Sequence, residues 1–288
     1  MTKDKRMPTS EYPVEGTQYR VVDADGFRLL LVKGNDNSAI SLMPLAAPDA
    51  LVAPYTAAML MPLPFLAQPK DIVLIGLGGG QQAKFIYNRL PRTRLVAVEI
   101  DPDIVRIARS HFSVPEDDEK LSVVTGDGGK YIQAHPDSCD LILSDGYDQT
   151  FSIADTLAGE QFYRACHRAL RPGGMMAINL FDHSTAWLDT HLRMVRSIFS
   201  ADIQLEIAHD QIVLLLAKDP LHESRQVLAA RAKALEAKLD LGLSRFVQRF
   251  EEERRAAASA ADAGRLGIVI KDLKFGLDAL LAAAAKAA

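Results

Sequence analysis

Cysteine is nearly absent from this chain: its 288 residues include only Cys139 and Cys166, without C-x-x-C spacing or a nearby histidine at ligand spacing. That argues against a disulfide framework and a zinc module, and it suits a reducing compartment. A charge excess of one sign is missing too. With 33 Lys and Arg against 37 Asp and Glu, the net charge is −4, so the chain as a whole carries no electrostatic footprint for nucleic acid. The opening "MTKDKRMPTSEYPVEG" has charges but no apolar stretch behind them, which argues against a secretory signal. An uninterrupted apolar span is also wanting. Residues 50–69, "ALVAPYTAAMLMPLPFLAQP", carry no charge, yet Pro54, Pro62 and Pro64 each remove a helical hydrogen bond that lipid cannot replace. The segment reads as a buried, irregular lead-in, and the protein as cytoplasmic, with no membrane or nucleic-acid partner.

What the chain does have is alternation. From Lys70 onward, apolar strand, turn and amphipathic helix recur: "DIVLIGLGGG", "QQAKFIYNRL", "RLVAVEID", "PDIVRIARSHF". "LSVVTGDGGKYIQA" and "CDLILSDG" read as two more strands, "LAGEQFYRACHRAL" as a helix stopped by "RPGG", and "MMAINLF" as a strand. This order predicts an α/β fold, a doubly wound and mainly parallel sheet with helices on both faces. "DIQLEIA" and "QIVLLLAK" are expected to close it as a terminal hairpin. Residues 1–53 read as a small N-terminal β-hairpin module and lead-in, 54–219 as the α/β domain. Residues 220–288, rich in Ala, Arg, Lys, Glu and Leu, read as a C-terminal helical extension, a solvated appendage or a dimer contact.

Gly76, Gly78 and Gly80 form G-x-G-x-G between a strand and a helix. Such a turn lets a ligand approach the main chain at the positive end of the helix. Glu99 ends the next strand, where an acid can accept ribose hydroxyls, whereas Asp101 reads as the cap of the helix that Pro102 opens. A dinucleotide fingerprint would place its third glycine one residue later, so the turn resembles the S-adenosylmethionine-type fold instead. There Asp127 of "TGDGG", with Gly128 beside it, would meet an adenine amino group; a tight Gly-Asp-Gly turn is the competing reading. Two further aspartates, Asp145 and Asp148, follow "CDLIL" in "LSDGYDQTF", and a carboxylate at the end of a buried strand is costly unless it binds or catalyses.

From Tyr55 to Asn179 these residues resemble the polyamine aminopropyltransferases, the spermidine and spermine synthase family. The family's G-G-G-D-G, E-I-D, G-D-G and D-S-S-D-P appear here, in that order, as "GLGGG", "EID", "GDG" and "DGYDQ". The resemblance implies decarboxylated S-adenosylmethionine as co-substrate, no metal, a small-molecule amine as acceptor, and a homodimer. It implies that Asp145 accepts the proton of the attacking amine, that Asp148 helps hold that amine, and that Tyr55 is the active-site tyrosine. Asp148 has a competing reading as a helix cap. The departures are specific: the family's G-G-G-D-G aspartate becomes Gly79, its Tyr-His/Gln-Glu glutamate becomes Ala57, Ser-Ser becomes Gly146-Tyr147, and the proline becomes Gln149. An S-adenosylmethionine-dependent methyltransferase is therefore the alternative, since Gly79 is no obstacle to it, and a non-catalytic nucleoside-binding protein the third reading. The methyltransferase motif N-P-P-Y or D-P-P-Y is absent. Asp182 and His183 follow "MMAINLF" at the ligand-facing end, and Trp187 reads as core or lid packing.

Overall fold

The structure is a computed structural model that describes residues 10–147, 153–181, 184–208, 210–259, 266–271 and 273. It opens with a four-stranded antiparallel sheet, β1 (Ser10–Tyr12), β2 (Tyr19–Ala24), β3 (Phe27–Val32) and β4 (Asn35–Pro44), in sequential order. The lead-in holds one short helix, α1 (Pro54–Ala58), and then turns, with Met59 to Leu63 almost wholly buried. Three prolines leave no room for a longer helix there.

Next come β5 (Asp71–Ile75), α2 (Gln81–Arg89), β6 (Arg94–Glu99), α3 (Pro102–Phe112), β7 (Leu121–Thr125), α4 (Gly128–Ala134), β8 (Cys139–Ser144) and α5 (Glu160–Ala169). They are followed by β9 (Leu170–Phe181), α6 (Thr185–Arg196), β10 (Ala201–Ala208), β11 (Gln211–Ala217), α7 (Arg225–Leu239), α8 (Leu243–Ser259) and β12 (Leu266–Ile270). The second sheet has eight strands in the order β12-β10-β11-β9-β8-β5-β6-β7. Pairing is parallel except for β10 with β11 and β11 with β9.

Strand alternation sorts the core into two layers. Ile72, Leu74, Leu141, Leu143, Met175, Ala177, Val213 and Leu215 point to one face, while Val73, Ile75, Ile142, Met176 and Ile178 point to the other. The first layer packs with α1, α2, α7 and α8; the second packs with α5 and α6. A third cluster joins the N-terminal sheet to α3 through Tyr19, Val21, Leu30, Met43, Ile104 and Phe112. Lys84 of α2 pins that junction, its Nζ donating to Phe112 O at 2.6 Å and to Met43 Sδ at 3.0 Å.

Several sequence expectations are corrected. "GGKYIQA" is helix α4, because Asp127 caps it. "RPGG" does not separate helix from strand, since β9 begins at Leu170 directly after α5. The β10–β11 hairpin does not end the sheet: β12 lies parallel along β10, so the stretch expected to be a helical extension contributes a strand. The extension is no solvated appendage either. Leu228, Ala232, Phe246 and Phe250 are fully buried, and Phe250 meets Phe65 of the lead-in edge-on at 5.1 Å. An amphipathic helix buries its apolar stripe wherever a complementary face is offered.

Candidate active site

One row of side chains builds the site. Along four strands, the inward alternation that makes the core ends in a polar residue at the same edge of the sheet. Leu95 and Ala97 lead to Glu99 on β6, Leu141 and Leu143 to Asp145 after β8, and Met175 and Ala177 to Asn179 on β9. On antiparallel β11 the row runs backwards from Leu215 and Val213 to Gln211. These side chains line a cavity of about 670 Å³, roofed by Ile40, Ser41 and Leu42 of β4. This is the edge where open α/β sheets bind ligands, at the carboxyl ends of their parallel strands.

At one end, the glycine turn is shaped by neighbouring backbone. Gly76 has φ +88°, and a Cβ there would run into the carbonyl of Asp145. Gly78 and Gly128 line the cavity. Gly80 does not: it caps α2 in the left-handed region, against Val114. Glu99 is buried, and its carboxylate holds the turn as well as facing the cavity. Oε2 accepts from Leu77 N at 2.8 Å and Gly78 N at 3.4 Å, and Oε1 accepts from Asp101 N at 3.0 Å. Asp101 caps α3 through Asp103 N at 2.8 Å and also accepts from Tyr19 of the N-terminal sheet at 2.6 Å. Asp127 accepts from Lys130 N at 3.0 Å, so it caps a helix and lines the cavity at once. Ile100 stands 66% exposed between the acids, an apolar surface suited to a flat base.

The other end is organised around Asp145. Asn179 Nδ2 donates to its Oδ1 at 3.0 Å, and Gln211 Nε2 donates to Asn179 Oδ1 at 2.9 Å. Tyr55 of α1 stands beside the same carboxylate, and burial together with Asp145 holds the tyrosine well above its ordinary pKa. Burial pushes Asp145 up to about 6, against the lowering effect of the Asn179 and Tyr55 donors. The group is therefore ionised at neutral pH yet able to take a proton. Tyr147 completes the wall. Its hydroxyl donates to Asn179 O at 2.7 Å and accepts from Phe181 N at 2.9 Å, just beyond the last β8–β9 pair, Ser144 with Ile178. The hydroxyl thus stands in for strand backbone that β8 no longer supplies.

Asp148, Asp182 and His183 lie outside the described residues. Gly79 does not line the cavity, and a Cβ on it would lie 2.7 Å from Ser41 Oγ and 2.8 Å from Phe112 Cδ1. Trp187 is partly exposed and stacks on His191 at 4.4 Å. Among the described residues, no group of three His, Cys, Asp or Glu is placed to hold a metal ion. No helix among them is long and apolar enough to cross a membrane. Tyr19, Ser41, Ile100 and Gln211 were not singled out from the sequence; Asn179, a lone polar residue within "MMAINLF", carried a legible hint.

Comparison with known proteins bears on this site. A family model described as the spermine/spermidine synthase domain matches residues 55–199. A polyamine aminopropyltransferase of Chromobacterium violaceum is 34% identical over 220 residues, covering 76% of this chain and 84% of that protein. A probable spermidine synthase of Corynebacterium glutamicum shares the fold with a TM-score of 0.63 at 20% identity, over 83% of this chain and 93% of that one. Human methyltransferase-like protein 13, solved in complex with SAH, shares it with a TM-score of 0.58 at 24% identity, over 65% of this chain and 92% of that one.

Proposed function

Since the chain belongs to the spermine/spermidine synthase family, we propose that it transfers the aminopropyl group of decarboxylated S-adenosylmethionine to a small-molecule amine. The acceptor nitrogen attacks the methylene carbon next to the sulfonium. A C–N bond forms, the C–S bond breaks with its electron pair going to sulfur, and methylthioadenosine leaves. The proton lost by the amine passes to Asp145. An ammonium has no lone pair, so a desolvated carboxylate that can take this proton is what the chemistry needs.

The observation that carries this reading is the pairing, in one cavity, of Glu99 and Asp127 with a half-buried Asp145 whose pKa is raised to about 6. Glu99 takes the ribose and Asp127 the adenine amine, over the turn at Gly76 and Gly78. Tyr55 and Asp148 hold the amine. Gly80 contributes helix geometry rather than ligand contact. The same reading divides the chain into an N-terminal β module with its lead-in (1–53), a nucleoside-binding α/β catalytic domain (54–219) and a C-terminal extension (220–288), in a cytoplasmic homodimer.

Methyl transfer from S-adenosylmethionine is the second reading, favoured by Gly79. The family acid is missing there, and a side chain at that position would meet Ser41 and Phe112. Incubating the purified protein with each nucleoside and a panel of amines, then identifying products by mass, separates the two. Aminopropylated amine with methylthioadenosine supports the first; methylated amine with S-adenosylhomocysteine replaces it with the second.

A further inference from the structure

Asp145, Asn179 and Gln211 form a cross-strand row on one face of the sheet. Asn179 lies opposite Val213, and Gln211 lies opposite Phe181, so Gln211 is the diagonal neighbour of Asn179 on that face. The row is directional: Gln211 donates to the Asn179 oxygen, and the Asn179 amide nitrogen donates to Asp145. An asparagine has an acceptor at one end and donors at the other. While Asp145 is ionised, the carboxylate itself draws the NH2 toward it. Once Asp145 has taken a proton, its new O–H would be better served by an asparagine turned over, with the oxygen facing it.

We propose that Gln211 is a positioning residue that biases Asn179 against this second orientation, because turning Asn179 alone would set its NH2 against the Gln211 NH2, so the NH2 stays favoured on Asp145 whether or not the carboxyl carries a proton. The consequence is kinetic as well as thermodynamic. A carboxyl that finds no acceptor for its proton releases it readily, which returns the site to its ionised form for the next amine. The proposal rests on Asp145 being the proton acceptor only for that consequence; the pinning itself is a property of the resting protein. Among the described residues, the titratable groups nearest Asp145 are Tyr55 from α1 and Tyr147 from its own loop, with Glu99, Asp101 and Asp127 further along the cavity. The side-chain hydrogen bonds described above for Tyr147, Glu99, Asp101 and Asp127 go to groups other than Gln211.

The test is a carboxyl 13C titration of aspartate-labelled protein, with the Asp145 resonance assigned by its loss in Asp145→Asn. In Gln211→Met, which keeps bulk but not the donor, the Asp145 midpoint is expected to rise by about half a pH unit or more, as for a carboxylate that loses a competing donor. In an Asn179→Leu background, Gln211→Met is expected to add nothing further. Should Gln211→Met fail to fold, the isosteric Gln211→Glu, which offers Asn179 an acceptor instead, takes its place. Its midpoint must then rise by more with Asn179 present than in the Asn179→Leu background, where only the added charge acts. An unmoved midpoint in folded Gln211→Met, or equal shifts with and without Asn179, overturns the proposal. A midpoint that moves in the resonance but not in the pH profile of kcat/KM upholds the pinning and removes Asp145 from the proton-accepting role.

Discussion

At the end of the cavity proposed for the nucleoside, Glu99 and Asp127 stand at the tips of adjacent parallel strands and are satisfied by backbone amides within a few residues or in the neighbouring turn. At the acceptor end, Asp145 is held by side chains from α1 and β9, and through β9 by β11, across 34 residues of chain to Asn179. The first end is built from backbone amides around two acids. The second is built from side chains, so a substitution at one of them reaches the reactive group through its neighbours. In such an arrangement one half can persist while the other diverges: Ala57 and Gly146-Tyr147 depart from the family pattern at the Asp145 end, whereas Gly79 departs within the glycine turn itself.

The contrast can be broken most sharply at Asp145. Asp145→Asn is expected to cut turnover by about 10²–10⁴-fold, the usual weight of a positioned base, while methylthioadenosine affinity stays near wild type. In the wild-type enzyme, turnover should fall as pH is lowered through about 6, because the protonated carboxyl can no longer accept from the amine. A pH-rate profile and calorimetric titration check both; equal losses in turnover and nucleoside binding would merge the two ends. Next in size is Glu99→Ala. It removes the proposed ribose contact and also the acceptor for Leu77, Gly78 and Asp101 amides, so nucleoside affinity is expected to drop roughly a hundredfold, at about 1.5–3 kcal/mol per charged hydrogen bond. A folded Glu99→Ala protein with unchanged affinity would contradict it.

Smaller effects sharpen the boundary. Gly79→Asp, which restores the family's acid, is expected to lower stability by about 1–3 kcal/mol through overpacking against Ser41 and Phe112, without tightening the aminopropyl nucleoside. Thermal melting alongside titration would show the reverse if strand β4 yields. Asp127→Asn should leave stability alone, since asparagine caps a helix equally well. It should weaken adenosine ligands by about 1 kcal/mol more than inosine ligands, as one hydrogen bond to the exocyclic amine is lost. Equal losses for the two would place Asp127 elsewhere.

The same division decides how much was legible beforehand. Glu99, Asp127 and Asp145 sit where an apolar strand gives way to a turn, so short windows of sequence reveal them. The doubly wound sheet follows from the same local alternation. Gln211 is invisible by that route, because its meeting with Asn179 depends on the register of an antiparallel pair. Phe246 and Phe250 are spaced as a helical stripe, but a stripe does not say what covers it. Strand β12, Leu266–Ile270, falls within the Ala- and Leu-rich stretch whose composition predicts helix. Its actual partner, β10, pairs in parallel from Ala201 with Leu266, a contact that no local window contains.

That last pairing bears on how the protein is made. During synthesis β10 leaves the ribosome well before β12, with α7 and α8 in between. Until Leu266–Ile270 arrive, one side of β10 is an open row of backbone donors and acceptors, the kind of edge that recruits strands from other chains. There is thus an interval in which β10 is the edge of the sheet; β12 then covers it and becomes the edge itself, through a long-range contact whose loop entropy slows its formation. Chaperone dependence and sensitivity to premature termination would concentrate in that interval, far from the residues that do the chemistry.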